Sequence, residues 1–134
     1  MNDLIERFLA AGPYAVVGAS ADRAKFGNQV LRCYARHGEV AHPVHPAGGS
    51  IEGLPVSLSL LALPEPVAHV SVITPPHVTE AVVEDAARAG VEVLWMQPGA
   101  ESATAVARAE SLGVCVIQGG PCLLVELPRR RTRE

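Results

Sequence analysis

Residues 14–28 read Tyr14-Ala15-Val16-Val17-Gly18-Ala19-Ser20-Ala21-Asp22-Arg23-Ala24-Lys25-Phe26-Gly27-Asn28. The first four form a short continuous apolar run, the pattern of a strand buried on both faces. Gly18 lets the backbone turn sharply at its end with no Cβ in the way. A polar loop follows. Over residues 27–37 apolar positions then recur at helical spacing, at Val30, Leu31, Tyr34 and Ala35, until Gly38 stops the helix. A strand covered on both faces, turning through glycine into a helix, is the repeating unit of a sheet sandwiched between helix layers.

The same unit recurs on either side. Residues 2–11 place Leu4, Ile5, Phe8 and Leu9 at helical spacing, with Asn2 as a cap and Gly12-Pro13 as a stop. Val40–Val44 reads as a second strand. Residues 46–66 are rich in Pro and Gly and hold at most a short helix around Leu58–Ala62. Val67–Ile73 is a third strand, Val78–Ala89 a helix closed by Gly90, and Val91–Met96 a fourth strand. Glu101–Leu112 is a further helix closed by Gly113, and Val114–Ile117 a fifth strand. This alternation implies right-handed crossovers and a doubly wound, five-stranded parallel sheet with helices on both faces. The expected strand order is 3-2-1-4-5.

Composition sets the outer bounds. A chain of 134 residues accommodates one domain. Its 49% hydrophobic and 19% charged residues belong to a globular protein, not a disordered one. Aromatics are only 4%, so Val, Leu, Ile and Ala must supply most of the core. A formal charge of −3 argues against a general nucleic-acid binder. No apolar run reaches the roughly 18–20 residues of a membrane span, and the N-terminus lacks a signal-peptide layout. Cys33, Cys115 and Cys122 are odd in number and at no metal-like spacing, so neither a disulfide framework nor a zinc site is indicated. A reduced, cytoplasmic setting is the expectation. Four of the eleven basic residues, Arg129, Arg130, Arg131 and Arg133, lie in the last six positions. Residues 1–127 are accordingly read as the domain and 128–134, opened by Pro128, as a basic disordered tail.

In a doubly wound sheet, ligands bind beyond the carboxyl ends of the strands, at the switch point beside the first strand. There Ser20 offers a hydroxyl, and the helix starting near Gly27 turns free N–H groups and its positive dipole end toward the same space. Arg23 and Lys25, the only lysine in the chain, add positive charge. Position and composition make a phosphate cradle, with an ordinary strand-to-helix turn as the competing reading. It is not the G-x-G-x-x-G dinucleotide fingerprint, because Ser20 takes the second glycine's place. NAD-binding folds also carry an acid about 20 residues further on to hold the ribose. Here that region is Val40-Ala41-His42-Pro43-Val44-His45-Pro46, without an acid. NAD is disfavoured, while a phosphorylated ribose, as in coenzyme A or NADP, is tolerated.

These residues resemble the small stand-alone coenzyme A-binding proteins, whose single Rossmann-like domain is similar to the N-terminal domain of the succinyl-CoA synthetase α subunit. The resemblance runs from about Tyr14 to Val125. It rests on Val16-Val17-Gly18-Ala19-Ser20, Lys25-Phe26-Gly27-Asn28, Pro43-Val44-His45-Pro46, Ile51-Glu52-Gly53-Leu54-Pro55-Val56, Leu94-Trp95-Met96-Gln97-Pro98-Gly99-Ala100 and Gly120-Pro121-Cys122. It implies that Gly18, Ala19, Ser20, Arg23, Lys25, Phe26, Gly27 and Asn28 face the coenzyme's phosphates. Pro46 and its neighbours, His45 among them, would lie along the adenine–ribose end. Thr74-Pro75-Pro76 would form the other side of the cleft, and Met96-Gln97-Pro98 would line the path of the pantetheine arm. The chain departs from the family where His45 replaces an Asn and Ala47 a Lys. That substitution removes a cation expected at the adenosine 3′-phosphate, lowering affinity or passing the contact to a histidine. Ala68 also stands where the family tends to have Asp.

No catalytic set emerges. His37, His42, His45, His69 and His77 are scattered without a metal-binding pattern. For His45 and His77, at strand ends, a place in the cleft and plain exposure both fit. Ser20 lacks the second glycine of a nucleophile elbow. The synthetases' phosphorylated histidine lies in another domain and matches no residue here. Cys122 is read as a structural thiol, with a mixed disulfide to a bound thiol as the alternative. The expected function is non-catalytic binding of coenzyme A or an acyl-CoA as small-molecule ligand. Two alternatives stand beside it: an NADP- or NAD-binding redox or sensor module, and a regulatory or interaction protein that has lost ligand binding. A homodimer or another protein partner is left open.

Overall fold

Tyr14–Val17 forms strand β1, and every residue of it is buried. It is flanked by parallel strands on both sides: β2 (Ala41–Val44), with Tyr14 opposite Ala41, and β5 (His69–Val72), with Tyr14 opposite His69. Strands β6 (Val93–Met96) and β7 (Cys115–Ile117) extend the sheet beyond β5. A two-stranded hairpin, β3 (Ser50–Ile51) and β4 (Leu54–Pro55), stands apart. Among the described residues five α-helices complete the fold: α1 (Asn2–Ala10), α2 (Phe26–Arg36), α3 (Pro76–Arg88), α4 (Ala103–Ser111) and α5 (Leu123–Thr132). A 3₁₀ turn spans Leu60–Ala62. This computed structural model describes residues 2–132 and has the expected Rossmann-like, three-layer architecture. No helix among those residues is long and apolar enough to cross a membrane.

Strand order departs from expectation. The sheet runs β2-β1-β5-β6-β7, which is 2-1-3-4-5 among the five principal strands and not 3-2-1-4-5. Pro43 gives the reason. The Gly18 N–H donates to the Val44 carbonyl, so Val44 faces β1 and the backbone of its neighbour Pro43 faces outward. A strand laid outside β2 would meet a residue with no N–H, which confines proline to sheet edges. The edge is closed by one residue instead: the Ser57 N–H donates to the Pro43 carbonyl, and the Ser57 carbonyl accepts from the His45 N–H, each at 3.0 Å. The chain then crosses to the other side of β1.

Side-chain alternation along the strands divides the core in two. Tyr14, Val16, Val93 and Trp95 face α1, α2 and α5, while Ala15, Val17, Leu94 and Met96 face α3 and α4. The few aromatics gather on the first face. Tyr14 stacks on Tyr34 at 4.6 Å between ring centroids, and Phe8 meets Trp95 edge-on at 5.2 Å. Such pairs add to simple area burial. Burial pushes the phenols of Tyr14 and Tyr34 well up, though Tyr34 shares a hydrogen bond with Ser71 that works the other way.

The basic C-terminal segment is also not a free tail. Helix α5 continues through Pro128 to Thr132, and Arg133 lies outside the described residues. Leu123 and Leu127 are fully buried in the aromatic face of the core. Arg130 pairs with Glu6 and Glu126, and Arg131 with Glu39. Proline withholds one N–H and crowds the preceding turn, but packed leucines and ion pairs to Glu6, Glu39 and Glu126 hold the helix together.

Candidate functional site

At the end of β1 three backbone segments converge. Gly18 turns at φ +89°, and a Cβ on it would lie 2.3 Å from the Ile73 carbonyl oxygen. A Cβ on Gly27 would lie 2.1 Å from the Gly18 carbonyl oxygen. Glycine at these two positions lets the first turn of α2 sit directly against the ends of β1 and the segment after β5. Between them the loop is tied to itself. Ser20 Oγ accepts from the Asp22 N–H at 3.1 Å, Asp22 Oδ1 from the Ala24 N–H at 3.0 Å, and the Asp22 carbonyl from the Lys25 N–H at 3.0 Å. Lys25 leads extended into α2, and no side chain caps that helix. Its first-turn N–H groups and positive dipole end are therefore available to an anion.

Asn28 holds this loop from behind. It is fully buried, and its Nδ2 donates to the Ser20 carbonyl at 2.8 Å and to Glu52 Oε2 at 3.1 Å. Its Oδ1 accepts from Arg32 Nε at 2.7 Å, and Arg32 also donates to the Arg23 carbonyl. Glu52, in the β3–β4 turn at φ +51°, lies 3.4 Å from Arg23 Nε. Asn28→Ala will take the donor from the Ser20 carbonyl and the acceptor from Arg32 Nε. It is expected to cost about 1–3 kcal/mol, read as a lowered midpoint in chemical denaturation.

A cleft of about 660 Å³ opens in front of this loop. Gly18, Ala19, Ser20, Lys25, Phe26 and Gly27 form one wall, His45 and Pro46 enter from the end of β2, and Thr74 and Pro75 from the start of α3. His45 Nδ1 accepts from the Ala47 N–H at 3.0 Å, which leaves the neutral ring's proton on Nε2. Thr74 and Thr79 share a hydroxyl hydrogen bond at 2.8 Å.

The structure leaves six of the expected contact residues outside this cleft's lining, Pro76 among them. Arg23 turns to Glu52, and Asn28 acts behind the loop. Met96 is fully buried in the core against α3 and α4. Gln97 is fully buried too, its Oε1 accepting from the Leu123 N–H at the start of α5. Pro98 is exposed away from the lining, as is His77. Cys122 also lies elsewhere, at the first turn of α5, where its carbonyl accepts from the Val125 and Glu126 N–H groups.

Besides Val17, Val44 and Ile73 at the strand ends, the lining holds residues that escaped sequence reasoning: Leu58, Ser59 and Leu60 at the 3₁₀ turn, and Val78, Ala81, Val82 and Asp85 on α3. The spacing of Val78 and Val82 marks an inward helix face, but only the observed strand order tells which cleft that face borders. No group of three or more metal-ligating side chains forms among the described residues.

Comparison with known proteins agrees with this geometry. A family described as CoA binding domain matches residues 13–128. A conserved hypothetical protein from Pyrococcus furiosus is 39% identical, with a TM-score of 0.79 over 84% of this chain and 97% of that one. A hypothetical protein from Pyrococcus horikoshii OT3 is 26% identical, with a TM-score of 0.89 over 96% of this chain and 91% of that one. The apo form of acetyl-coenzyme A synthetase 1 from Ca. Korarchaeum cryptofilum is 28% identical, with a TM-score of 0.73. That match covers 84% of this chain but only 27% of the synthetase. No curated protein matches. With the matched region reaching from just before β1 into α5, the chain belongs to the CoA-binding domain family.

Proposed function

We propose that the cleft binds coenzyme A or an acyl-CoA, with the pyrophosphate against the first turn of α2, and that the chain acts by binding and not by catalysis. The observation that carries this reading is the uncapped start of α2, held against the carbonyl of Gly18. Backbone N–H groups fixed in this way hold an anion without having to reorganise. Lys25 adds a charge at the same wall. Ser20 Oγ already accepts a hydrogen bond, so its own proton is free to be donated to a phosphate oxygen. His45, with a donor at Nε2, offers a hydrogen bond, though no charge, where Ala47 lacks the expected cation. Ser20 is engaged by a backbone N–H and not by an imidazole, which favours binding over acyl transfer.

Isothermal titration with coenzyme A, acetyl-CoA, NADP and NAD tests the reading. Coenzyme A and acetyl-CoA are expected to bind and NAD to fail. Lys25→Ala is expected to weaken coenzyme binding about tenfold or more with no loss of fold, since Lys25 is exposed. Arg23→Ala is expected to do much less, because that side chain lies on Glu52. Binding of NADP without coenzyme A would overturn the assignment, and an unchanged affinity in Lys25→Ala would move the phosphates elsewhere.

A further inference from the structure

The hairpin turn beside the phosphate loop carries an unfavourable residue. Ile51 pairs with Leu54, so Glu52 and Gly53 alone make the turn between β3 and β4. Both have positive φ, +51° and +78°, the pattern of a two-residue turn that prefers Asn-Gly. Gly53 suits it. Glu52 is the one non-glycine residue at positive φ among the described residues, in a conformation that Asn and Asp tolerate and longer side chains do not favour. What glutamate brings to the position is a carboxylate with reach. Its Oε2 accepts from the buried Asn28 at 3.1 Å and lies 3.4 Å from Arg23 Nε. Any acceptor could make the first contact. The second needs a negative charge.

Arg23 is held in a way that releases easily. One nitrogen of its guanidinium meets Glu52, at a distance longer than a charge-assisted hydrogen bond, and its side chain is 66% exposed. Such a pair contributes little to stability. The backbone beneath it is fixed, because the Arg23 carbonyl accepts from Arg32 and the Ala24 N–H donates to Asp22. Only the side chain has to move for Arg23 to leave Glu52. It stands on the same loop as Ser20 and Lys25, which line the cleft.

Resting on the coenzyme reading above, we infer that Glu52 is a resident competitor for Arg23: it occupies the guanidinium in the free protein, and a bound pyrophosphate has to take that guanidinium over. Exchanging one anion for another adds little net affinity, so the two loop cations differ in role. Lys25 meets the phosphates without giving up a partner, whereas Arg23 must first leave one. Glu52 then sets the affinity without touching the ligand, as a positioning residue that acts through Arg23.

Glu52→Gln tests this, because it removes the charge and keeps an amide oxygen for Asn28. Calorimetric titration is expected to show coenzyme A bound about three- to fivefold more tightly than by the parent, with an unchanged circular dichroism spectrum. Loss of a merely structural support would lower affinity, not raise it. Combining Glu52→Gln with Arg23→Ala should cancel the gain and return the affinity to that of Arg23→Ala alone. Affinity unchanged or lowered in Glu52→Gln overturns the inference. So does a gain that survives in the double variant, which would make Glu52 a source of general repulsion and not a partner of Arg23. Both results leave coenzyme binding standing; failure of parent and variants alike to bind coenzyme A overturns the functional reading and this inference together.

Discussion

Gly27→Ala will abolish measurable coenzyme binding and destabilise the protein by about 1–3 kcal/mol. Helix propensity alone gives the opposite sign, because alanine is favoured over glycine in a helix by about 1 kcal/mol. Gly27 shows no left-handed backbone, so the conformation itself suits alanine. What forbids the side chain is contact: the added Cβ would stand 2.1 Å from the Gly18 carbonyl oxygen and 3.2 Å from Ala19 Cα. Both are backbone atoms, and neither can rotate away. The start of α2 must therefore retreat from β1, taking with it the N–H groups assigned to the pyrophosphate. Chemical denaturation and calorimetric titration on the one variant read both effects. A variant as stable as the parent and equally able to bind would show that the close approach of α2 to Gly18 matters to neither fold nor site.

That contact was only half legible in the sequence. Glycine at 18 is what a strand-ending turn needs, and Gly18 does turn at positive φ. Gly27 carries no such local signature, and its necessity comes from a carbonyl nine residues earlier in the chain. The same division runs through the fold. The five principal strands and the helices between them follow from apolar runs and closing glycines, because those patterns are local. The order of the strands depends on which edge of β2 can accept a partner. Pro43 settles that, but only once it is known which way its backbone faces. Arg23 and Lys25 read alike as loop cations, yet Glu52, brought up by a hairpin inside a stretch taken for connector, removes one of them. Asp85 had no signal at all: an acid on a helix is ordinarily a solvated one, and the cleft it lines exists only after the 3₁₀ segment folds against α3. Net charge is equally uninformative about the cleft, since a protein of formal charge −3 can still place its single lysine where a phosphate would sit.

Ending the chain after Cys122 will remove most of its stability, a result at odds with reading the C-terminus as a solvated appendage. Pro128 and four nearby arginines point a sequence reader toward disorder. The residues just before them point the other way, because Leu123 and Leu127 are fully buried in the core cluster that also holds Trp95 and Phe8. Truncating a buried leucine costs about 2–5 kcal/mol, and two of them approach the roughly 5–15 kcal/mol that holds a typical domain together. The deletion also takes the Leu123 N–H from Gln97 Oε1, leaving a fully buried amide whose Nε2 already has no partner among the described residues. A chain ending after Leu127 separates the two contributions. It keeps both leucines and the Gln97 contact but gives up the ion pairs of Arg130 with Glu6 and Glu126 and of Arg131 with Glu39; the pair to the largely exposed Glu6 contributes little, and the less exposed pairs to Glu126 and Glu39 account for a modest loss. The expected outcome is cooperative unfolding, at a modestly lower midpoint, for the chain ending at 127. The chain ending at 122 is expected to unfold without cooperativity and to bind apolar dyes, the behaviour of a core that has lost its specific packing. If the shorter chain instead unfolds cooperatively near the parent's midpoint, α5 lies on the domain without belonging to it, and the aromatic face of the sheet is sufficient to itself.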